Sequence, residues 1–175
     1  MTKEQLKFIG DSIEKHQINQ VHFTTCQTVQ LHNLKGEAVC EIMEEALDFG
    51  INTRGGGGDF PRNVMVSPLS GVEQGEWFDV LPYALKAAEY LMGFIKTVKL
   101  PRKLKVCFSN SPANRPHATF RDLALRPERT ACSTYTAQAD WAPIRRWGAL
   151  VAEAVQPEDI LYYIKAMVNT FTAYG

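Results

Sequence analysis

A two-residue alternation of basic or polar with apolar side chains runs through Lys103-Leu104-Lys105-Val106-Cys107-Phe108. Successive side chains of a β-strand point to opposite faces of its sheet, so this alternation predicts a strand with one apolar face. Leu104, Val106 and Phe108 would then face a core, and both lysines would project together from the other side. The segment therefore predicts a sheet that presents two cations on one face.

Helices are predicted on both sides of this strand. Thr2 suits the N-cap of a first helix whose third position is Gln5, and Pro157 suits the first turn of a last helix. Helical spacing of apolar residues predicts two more helices, over residues 37–49 and 78–95. The apolar faces are expected to include Leu6, Ile9 and Ile13 in the first helix and Leu81, Leu85 and Leu91 in the third.

Short strands and one glycine run complete the predicted elements. Strand patterns occupy residues 21–25, 29–31 and 63–66, and residues 126–140 predict a loop or a weak hairpin. The four consecutive glycines at 55–58 interrupt any regular structure and predict the internal boundary. We therefore expect an α+β fold with two domains, residues 1–54 and residues 55–175.

Composition limits the class of protein. The 175 residues suit one ordinary domain or two small ones, and a hydrophobic content of 45% is enough for a core. The N-terminus has no basic stretch leading into an apolar run, and no segment reaches the length of a membrane-spanning helix. We expect a soluble cytoplasmic protein without a membrane or nucleic-acid partner.

The cysteines do not indicate a metal or disulfide framework. They are scattered, without a close pair, at Cys26, Cys40, Cys107 and Cys132. We expect reduced thiols. His22, Cys26 and His32 could converge as soft metal ligands, but three ligands without a fourth are weak support, so no metal site is predicted.

Two other chemistries find little support. A phosphate-binding loop needs Lys-Ser or Lys-Thr after its last glycine, whereas Asp59 and Phe60 follow the glycine run here. No serine, cysteine and histidine are spaced in a way that argues for a hydrolytic nucleophile. Neither nucleotide binding nor hydrolysis is therefore favoured.

Basic residues give the strongest functional signal, although the formal net charge is zero. The basic stretch contains Lys99, Arg102, Lys103, Lys105, Arg115, Arg121, Arg126 and Arg129. It indicates an anionic partner or a solvated charged face. Arg62 beside the glycine run, with Lys103 and Lys105, could stabilise an oxyanion. The alternative is that the lysines protect an exposed edge strand from aggregation.

Three ordered segments of the chain resemble motifs of sirohaem-dependent nitrite/sulfite reductases. The first is Thr24-Thr25-Cys26-Gln27 with Gln30-Leu31-His32, the second is Gly58-Asp59-Phe60-Pro61-Arg62-Asn63, and the third is Leu100-Pro101-Arg102-Lys103-Leu104-Lys105. The segments 108–123 and 150–159 are also similar to the family. The resemblance implies a ferredoxin-like α/β piece followed by a nitrite/sulfite reductase sirohaem half-domain.

The resemblance also implies roles for individual residues. Arg62, Lys103 and Lys105 match positions that bind nitrite or sulfite, and would be catalytic. Gln27, Gln30, Asn63 and Arg102 match or adjoin positions that hold sirohaem, the first expected cofactor. The second is a [4Fe–4S] cluster that passes electrons to the anion. An electron donor protein is also implied.

The chain departs from the family pattern at several points. Cys26 stands where the family has an arginine, and a further anion-binding arginine lies upstream of the first helix in the family. Cluster cysteines belong to the family's second half, and Ser67, Ser111 and Arg115 occupy pseudo-equivalent positions here. We expect a reductase fragment or subunit that needs a cluster-bearing half or subunit and does not turn over alone. The alternative is a non-catalytic remnant, or an anion- or tetrapyrrole-binding module that stabilises a partner.

Overall fold

The chain forms two compact units that meet within the glycine run. The computed structural model describes residues 1–127, the backbone of residues 133–137, and residues 149–175. Unit 1 comprises Met1–Gly56 and unit 2 comprises Gly57–Gly175. Within the described ranges, no helix has the length and hydropathy needed to cross a bilayer.

Unit 1 consists of two helices and a two-stranded antiparallel sheet. Its elements are α1 (Lys3–Lys15), β1 (Val21–Phe23), β2 (Val29–Leu31) and α2 (Gly36–Asp48). The predicted cap of α1 is confirmed, because the side chains of Thr2 and Gln5 form a reciprocal capping box. Phe8, Ile42 and Ala46 are the buried centre of a small core between the helices.

The described part of unit 2 is built on a five-stranded sheet in the order β3-β4-β5-β6-β7. The strands are β3 (Met65–Val66), β4 (Val106–Phe108), β5 (Leu123–Pro127), β6 (Ser133–Ala137) and β7 (Ala149–Val155), and the helices are α3 (Leu81–Met92) and α4 (Ile160–Tyr174). The first three strands in this order are parallel, and the pairs β5–β6 and β6–β7 are antiparallel. The mixture of helices and strands confirms the predicted α+β fold.

The strand predicted over residues 103–108 is shorter in the structure, because β4 begins at Val106 and Leu104 forms only an isolated bridge, but the predicted apolar face is confirmed. Leu104, Val106 and Phe108 are at most 2% exposed and pack in one cluster with α3 and α4. The cluster includes Ala84, Ala87 and Leu91 from α3, Leu123 and Leu125 from β5, and Ile160, Ile164 and Val168 from α4. Cys107 is also fully buried, so both faces of the sheet are covered at this position.

Some local predictions needed correction. The third helix is shorter than predicted, because it has a proline in its first turn and ends at Gly93. Leu85 on α3 is 62% exposed and Leu6 on α1 is 56% exposed, so neither joins its core. The hairpin alternative for residues 126–140 agrees with the antiparallel pairing of β5 and β6, while residues 128–132 and 138–140 lie outside the described residues.

Candidate functional site

Arg62, Lys103 and Lys105 adjoin an isolated parallel bridge that precedes β3 and β4, and we call them the cation row. A parallel bridge pairs Pro61 with Leu104 just before β3 and β4. Pro61 and Leu104 are both buried, whereas the residues of the cation row are partly buried. Because side chains alternate across an extended chain, the neighbours of this buried pair project from the opposite face. The structure thus brings together the three cations that the sequence singled out.

Two backbone hydrogen bonds fix this arrangement. The Arg62 N–H donates to the Leu104 carbonyl oxygen at 2.8 Å, and the Leu104 N–H donates to the Phe60 carbonyl oxygen at 3.3 Å. These are the bonds of a short parallel ladder, which sets the register between residues distant in sequence. Arg62 is therefore held at a defined position beside the segment 103–105, which carries both lysines and leads into β4.

The glycine turn tethers the Arg62 side chain. The Arg62 Nη2 atom donates to the carbonyl oxygen of Gly58 at 2.9 Å. Gly58 has φ +73°, and a Cβ atom at this position would lie 3.0 Å from the Phe60 ring. Glycine is needed at this position, because an L side chain rarely adopts this backbone conformation and would also crowd the ring. The last glycine of the run thus positions a cation.

Arg102 and Asn63 flank the cation row in sequence and are both exposed. Arg102 precedes Lys103, and Asn63 follows Arg62. Within the described part of unit 2, the structure gives neither Arg102 nor Lys103 an ion pair or a side-chain hydrogen bond. These cationic groups are therefore available to an anionic ligand.

The two glutamines of the predicted cofactor site belong to unit 1. Gln27 is exposed in the turn between β1 and β2, where its N–H donates to the Thr24 carbonyl oxygen at 3.0 Å and its φ is +58°. Gln30 is exposed on β2, opposite His22. Both therefore lie on one hairpin, separate from the unit that carries the cation row.

The candidate metal ligands of unit 1 do not form a cluster. The rings of His22 and His32 have centroids 6.5 Å apart. Across the residues that the structure describes, no group of three His, Cys, Asp or Glu side chains is placed to hold one metal ion. Cys132 lies outside the described residues.

A second polar cluster lies at the carboxyl ends of β3 and β4. Glu73 receives hydrogen bonds from Arg115, from Asn110 Nδ2 at 2.8 Å, and from the Ser67 hydroxyl at 3.4 Å. The hydrogen bond from Arg115, followed by that from Asn110, lowers the pKa of Glu73 below its ordinary value. Ser67 and Arg115 are pseudo-equivalent positions named above, and here they belong to an ion-pair network that ties two loops together.

Sequence reasoning missed Asp122, which lies directly against the cation row. Its carboxylate is buried and accepts the backbone N–H of Lys105 at 2.7 Å. Asp122 lies within the segment 108–123, which is similar to the family, but that similarity implied no role for it. The available signal was an acidic residue within a basic stretch, which does not by itself indicate a buried contact.

Family models match both units of the chain. Residues 57–175 match the nitrite and sulphite reductase 4Fe-4S domain, and residues 1–49 match the nitrite/sulfite reductase ferredoxin-like half domain. The chain belongs to the sirohaem nitrite/sulfite reductase family. The resemblance of the ordered motifs is thereby confirmed.

Relatives in this family are nitrite reductases. The assimilatory ferredoxin-dependent nitrite reductase of Haloferax mediterranei is 28% identical over 62% of this chain and 19% of that protein. The chloroplastic ferredoxin–nitrite reductase of Spinacia oleracea is 27% identical over 99% of this chain and 31% of that protein. The chain therefore spans between a fifth and a third of the length of these relatives.

A solved structure shares the fold. The NirA protein of Mycobacterium tuberculosis superposes with a TM-score of 0.86 at 23% identity, over 98% of this chain and 32% of that chain. The likeness covers both units and supports the family's α+β architecture. At this level of identity it is evidence for the fold alone.

The residues present fit one implied cofactor better than the other. Sirohaem carries many carboxylates, and the cation row with exposed Arg102 is a donor set suited to carboxylates and small oxyanions. A [4Fe–4S] cluster is held by cysteine thiolates. Among the described residues, Cys26 and Cys40 lie in unit 1 and Cys107 is buried in unit 2, so this part of the chain does not offer a cluster site.

Proposed function

We propose that this chain supplies the anion cage and part of the sirohaem pocket of a nitrite/sulfite reductase. The observation that supports this proposal is the parallel backbone bridge that brings Arg62 beside the segment 103–105, which carries both lysines. Positioned cations stabilise negative charge without having to reorganise as the charge develops. Nitrite and sulfite are small oxyanions of this kind.

The chain's own residues would bind the substrate, orient it and donate hydrogen bonds to its oxygens. Arg62 offers a planar guanidinium, and the lysines offer ammonium groups that can donate protons as oxygen leaves. Bound sirohaem would supply the redox-active iron. The cation row would bind and orient the anion.

Each predicted domain carries candidate cofactor residues of its own. In residues 55–175 they are Asn63 and Arg102, which adjoin the cation row, and they would contact the periphery of the macrocycle. In residues 1–54 they are Gln27 and Gln30 on the hairpin, whose amides would offer hydrogen bonds to the same cofactor. Cys26, partly buried in the same hairpin turn, removes one cationic contact that the family pattern supplies.

Turnover would require a cluster, for which the residues that the structure describes do not offer a site. We propose that a further part of the protein or a partner subunit provides the [4Fe–4S] cluster and the shared cysteine. The names of the relatives specify ferredoxin, which makes a ferredoxin the electron donor that fits this proposal.

A second candidate function is a non-catalytic tetrapyrrole- or anion-binding module. Cys26 favours it, because the loss of one arginine weakens a carboxylate contact. The intact cation row favours the reductase component. The two functions differ in whether the bound tetrapyrrole responds to nitrite or sulfite.

The test is an absorption titration of the purified chain with sirohaem, compared with protohaem, which carries fewer carboxylates. The reductase proposal predicts a saturable shift of the sirohaem band, weaker binding of protohaem, and a further shift on addition of nitrite or sulfite. Saturable binding without an anion response would support the binding module. A chain that is folded by circular dichroism and binds no sirohaem would contradict the reductase proposal and the tetrapyrrole-binding module alike.

A further inference from the structure

Asp122 contacts the backbone of Lys105 on the side that faces β5, whereas Arg62 contacts Leu104 on the side that faces β3. The Asp122 Oδ2 atom accepts the backbone N–H of Lys105 at 2.7 Å, and Asp122 is 4% exposed. A buried carboxylate costs free energy unless it is well hydrogen-bonded or paired with a cation. A short bond to a backbone N–H is one such compensation.

The carboxylate continues the ladder between β4 and β5 by one residue. Backbone pairing of these strands begins with Val106 and Leu123. The Leu123 N–H donates to the Lys105 carbonyl oxygen at 3.2 Å, so both backbone polar groups of Lys105 bond toward β5. The acceptor for the Lys105 N–H, however, is the Asp122 side chain.

The strand segment 104–105 is consequently fixed from both edges. Leu104 bonds through both backbone groups to Phe60 and Arg62 on one side, and Lys105 bonds to Asp122 and Leu123 on the other. Side chains that bind a small anion need positions defined to within a fraction of an ångström. Without the Asp122 contact, the backbone at Lys105 would lose one of its two hydrogen bonds toward β5.

We propose that Asp122 is a positioning residue that orients Lys105 within the anion cage by holding its backbone N–H. This inference rests on the proposed function, because it assigns Asp122 to the same cage. It predicts an effect on anion affinity that is separate from sirohaem affinity. A residue needed only for general stability would not produce this separation.

The experiment measures the nitrite-induced shift of the sirohaem band in the full chain. Asp122→Ala removes the acceptor, and Asp122→Asn keeps an oxygen acceptor without the charge. Asp79→Ala is the matched control, because Asp79 also accepts a backbone N–H, from Leu81 at 2.9 Å, but lies in the loop before α3. All variants are first checked for helicity and for sirohaem affinity.

The expected result for Asp122→Ala is about a tenfold weaker apparent nitrite affinity, with sirohaem affinity within about twofold of wild type. Asp122→Asn should recover nitrite affinity to within about threefold, and Asp79→Ala should match wild type. Unchanged nitrite affinity in folded Asp122→Ala would overturn the inference, as would an Asp122→Asn variant as weak as Asp122→Ala. A wild-type chain that binds sirohaem without a nitrite response would contradict the proposed function itself, and the inference would fall with it.

Amide hydrogen exchange decides the inference if Asp122→Ala does not fold. In wild type and Asp122→Asn, the Lys105 amide should be protected about as strongly as the Val106 amide. A Lys105 amide that exchanges as fast as exposed amides would overturn the positioning role.

Discussion

The Arg62 N–H donates to the Leu104 carbonyl oxygen at 2.8 Å, and this bond places a cation from the glycine turn beside two cations from a strand. The two residues are far apart in sequence, and Leu104 is only 1% exposed in the core. The apolar face of the strand therefore anchors the charged face. The burial of Leu104 in the core thus fixes the backbone to which Arg62 is bonded.

Truncation of Leu104 tests that anchor. Leu104→Ala should lower the free energy of unfolding by about 2–5 kcal/mol, because it removes a buried side chain and leaves a cavity. Urea unfolding measures the change. Leu85→Ala is the control, since Leu85 is 62% exposed, and it should cost less than about 0.5 kcal/mol. Equal losses in the two variants would contradict the burial described for Leu104.

Within the glycine run, position 58 requires glycine more strictly than position 57 does. Gly58 has φ +73° and a Cβ there would meet the Phe60 ring, whereas a Cβ on Gly57 would meet open space. Gly58→Ala should destabilise the chain by about 1–2 kcal/mol, and Gly57→Ala should be close to neutral. Denaturant midpoints compare the two, and a tolerated Gly58→Ala would refute the left-handed turn.

Glu73 should make the stability depend on pH in the acidic range. Hydrogen bonds from Arg115 and Asn110 lower its pKa from 4.5 in the folded chain. The unfolded chain therefore takes up this proton first as the pH falls, and the stability that Glu73 contributes above its unfolded pKa is lost as the pH passes through the folded pKa.

Glu73→Gln should flatten this acid dependence. Urea midpoints between about pH 7 and about pH 3 would show a smaller loss of stability in the variant than in wild type. Glu89→Gln, at an exposed site on α3, is the control and should keep the wild-type profile. A wild-type acid dependence in Glu73→Gln would contradict the role of the Glu73 network.

Restoring the arginine at position 26 should strengthen cofactor binding. Cys26→Arg adds a guanidinium at the position where the family pattern has one, and one new charge-assisted hydrogen bond corresponds to about a tenfold gain in sirohaem affinity. Cys40→Arg adds the same charge on the exposed surface of α2 in the same unit. Equal gains in both variants would indicate nonspecific attraction rather than a restored contact.

Local patterns in the sequence were enough to predict which side chains of the segment 103–108 are buried. Residues 103–108 carry a two-residue alternation, and that pattern predicted the buried face of Leu104, Val106 and Phe108. The first helix was equally readable, because Thr2 and Gln5 form a capping box within one turn. Such features depend only on neighbours in sequence.

Features set by pairing between distant segments were not predictable. The contact between Asp122 and Lys105 joins residues 17 positions apart and depends on the register of two strands. The edge strand β7 was missed because it lacks alternation, with Leu150 and Val151 both about half exposed. Family motifs supplied the order of the segments, whereas the structure supplied their pairing.

The central claim is that the cation row binds the substrate anion. The most direct test compares Lys103→Ala/Lys105→Ala with Lys86→Ala/Lys165→Ala, a control pair of exposed lysines on α3 and α4. The measurement is the shift of the sirohaem band on addition of nitrite or sulfite. We expect Lys103→Ala/Lys105→Ala to bind sirohaem but to lose the anion response, and the control pair to keep it. An undiminished response in Lys103→Ala/Lys105→Ala would contradict anion binding by the cation row.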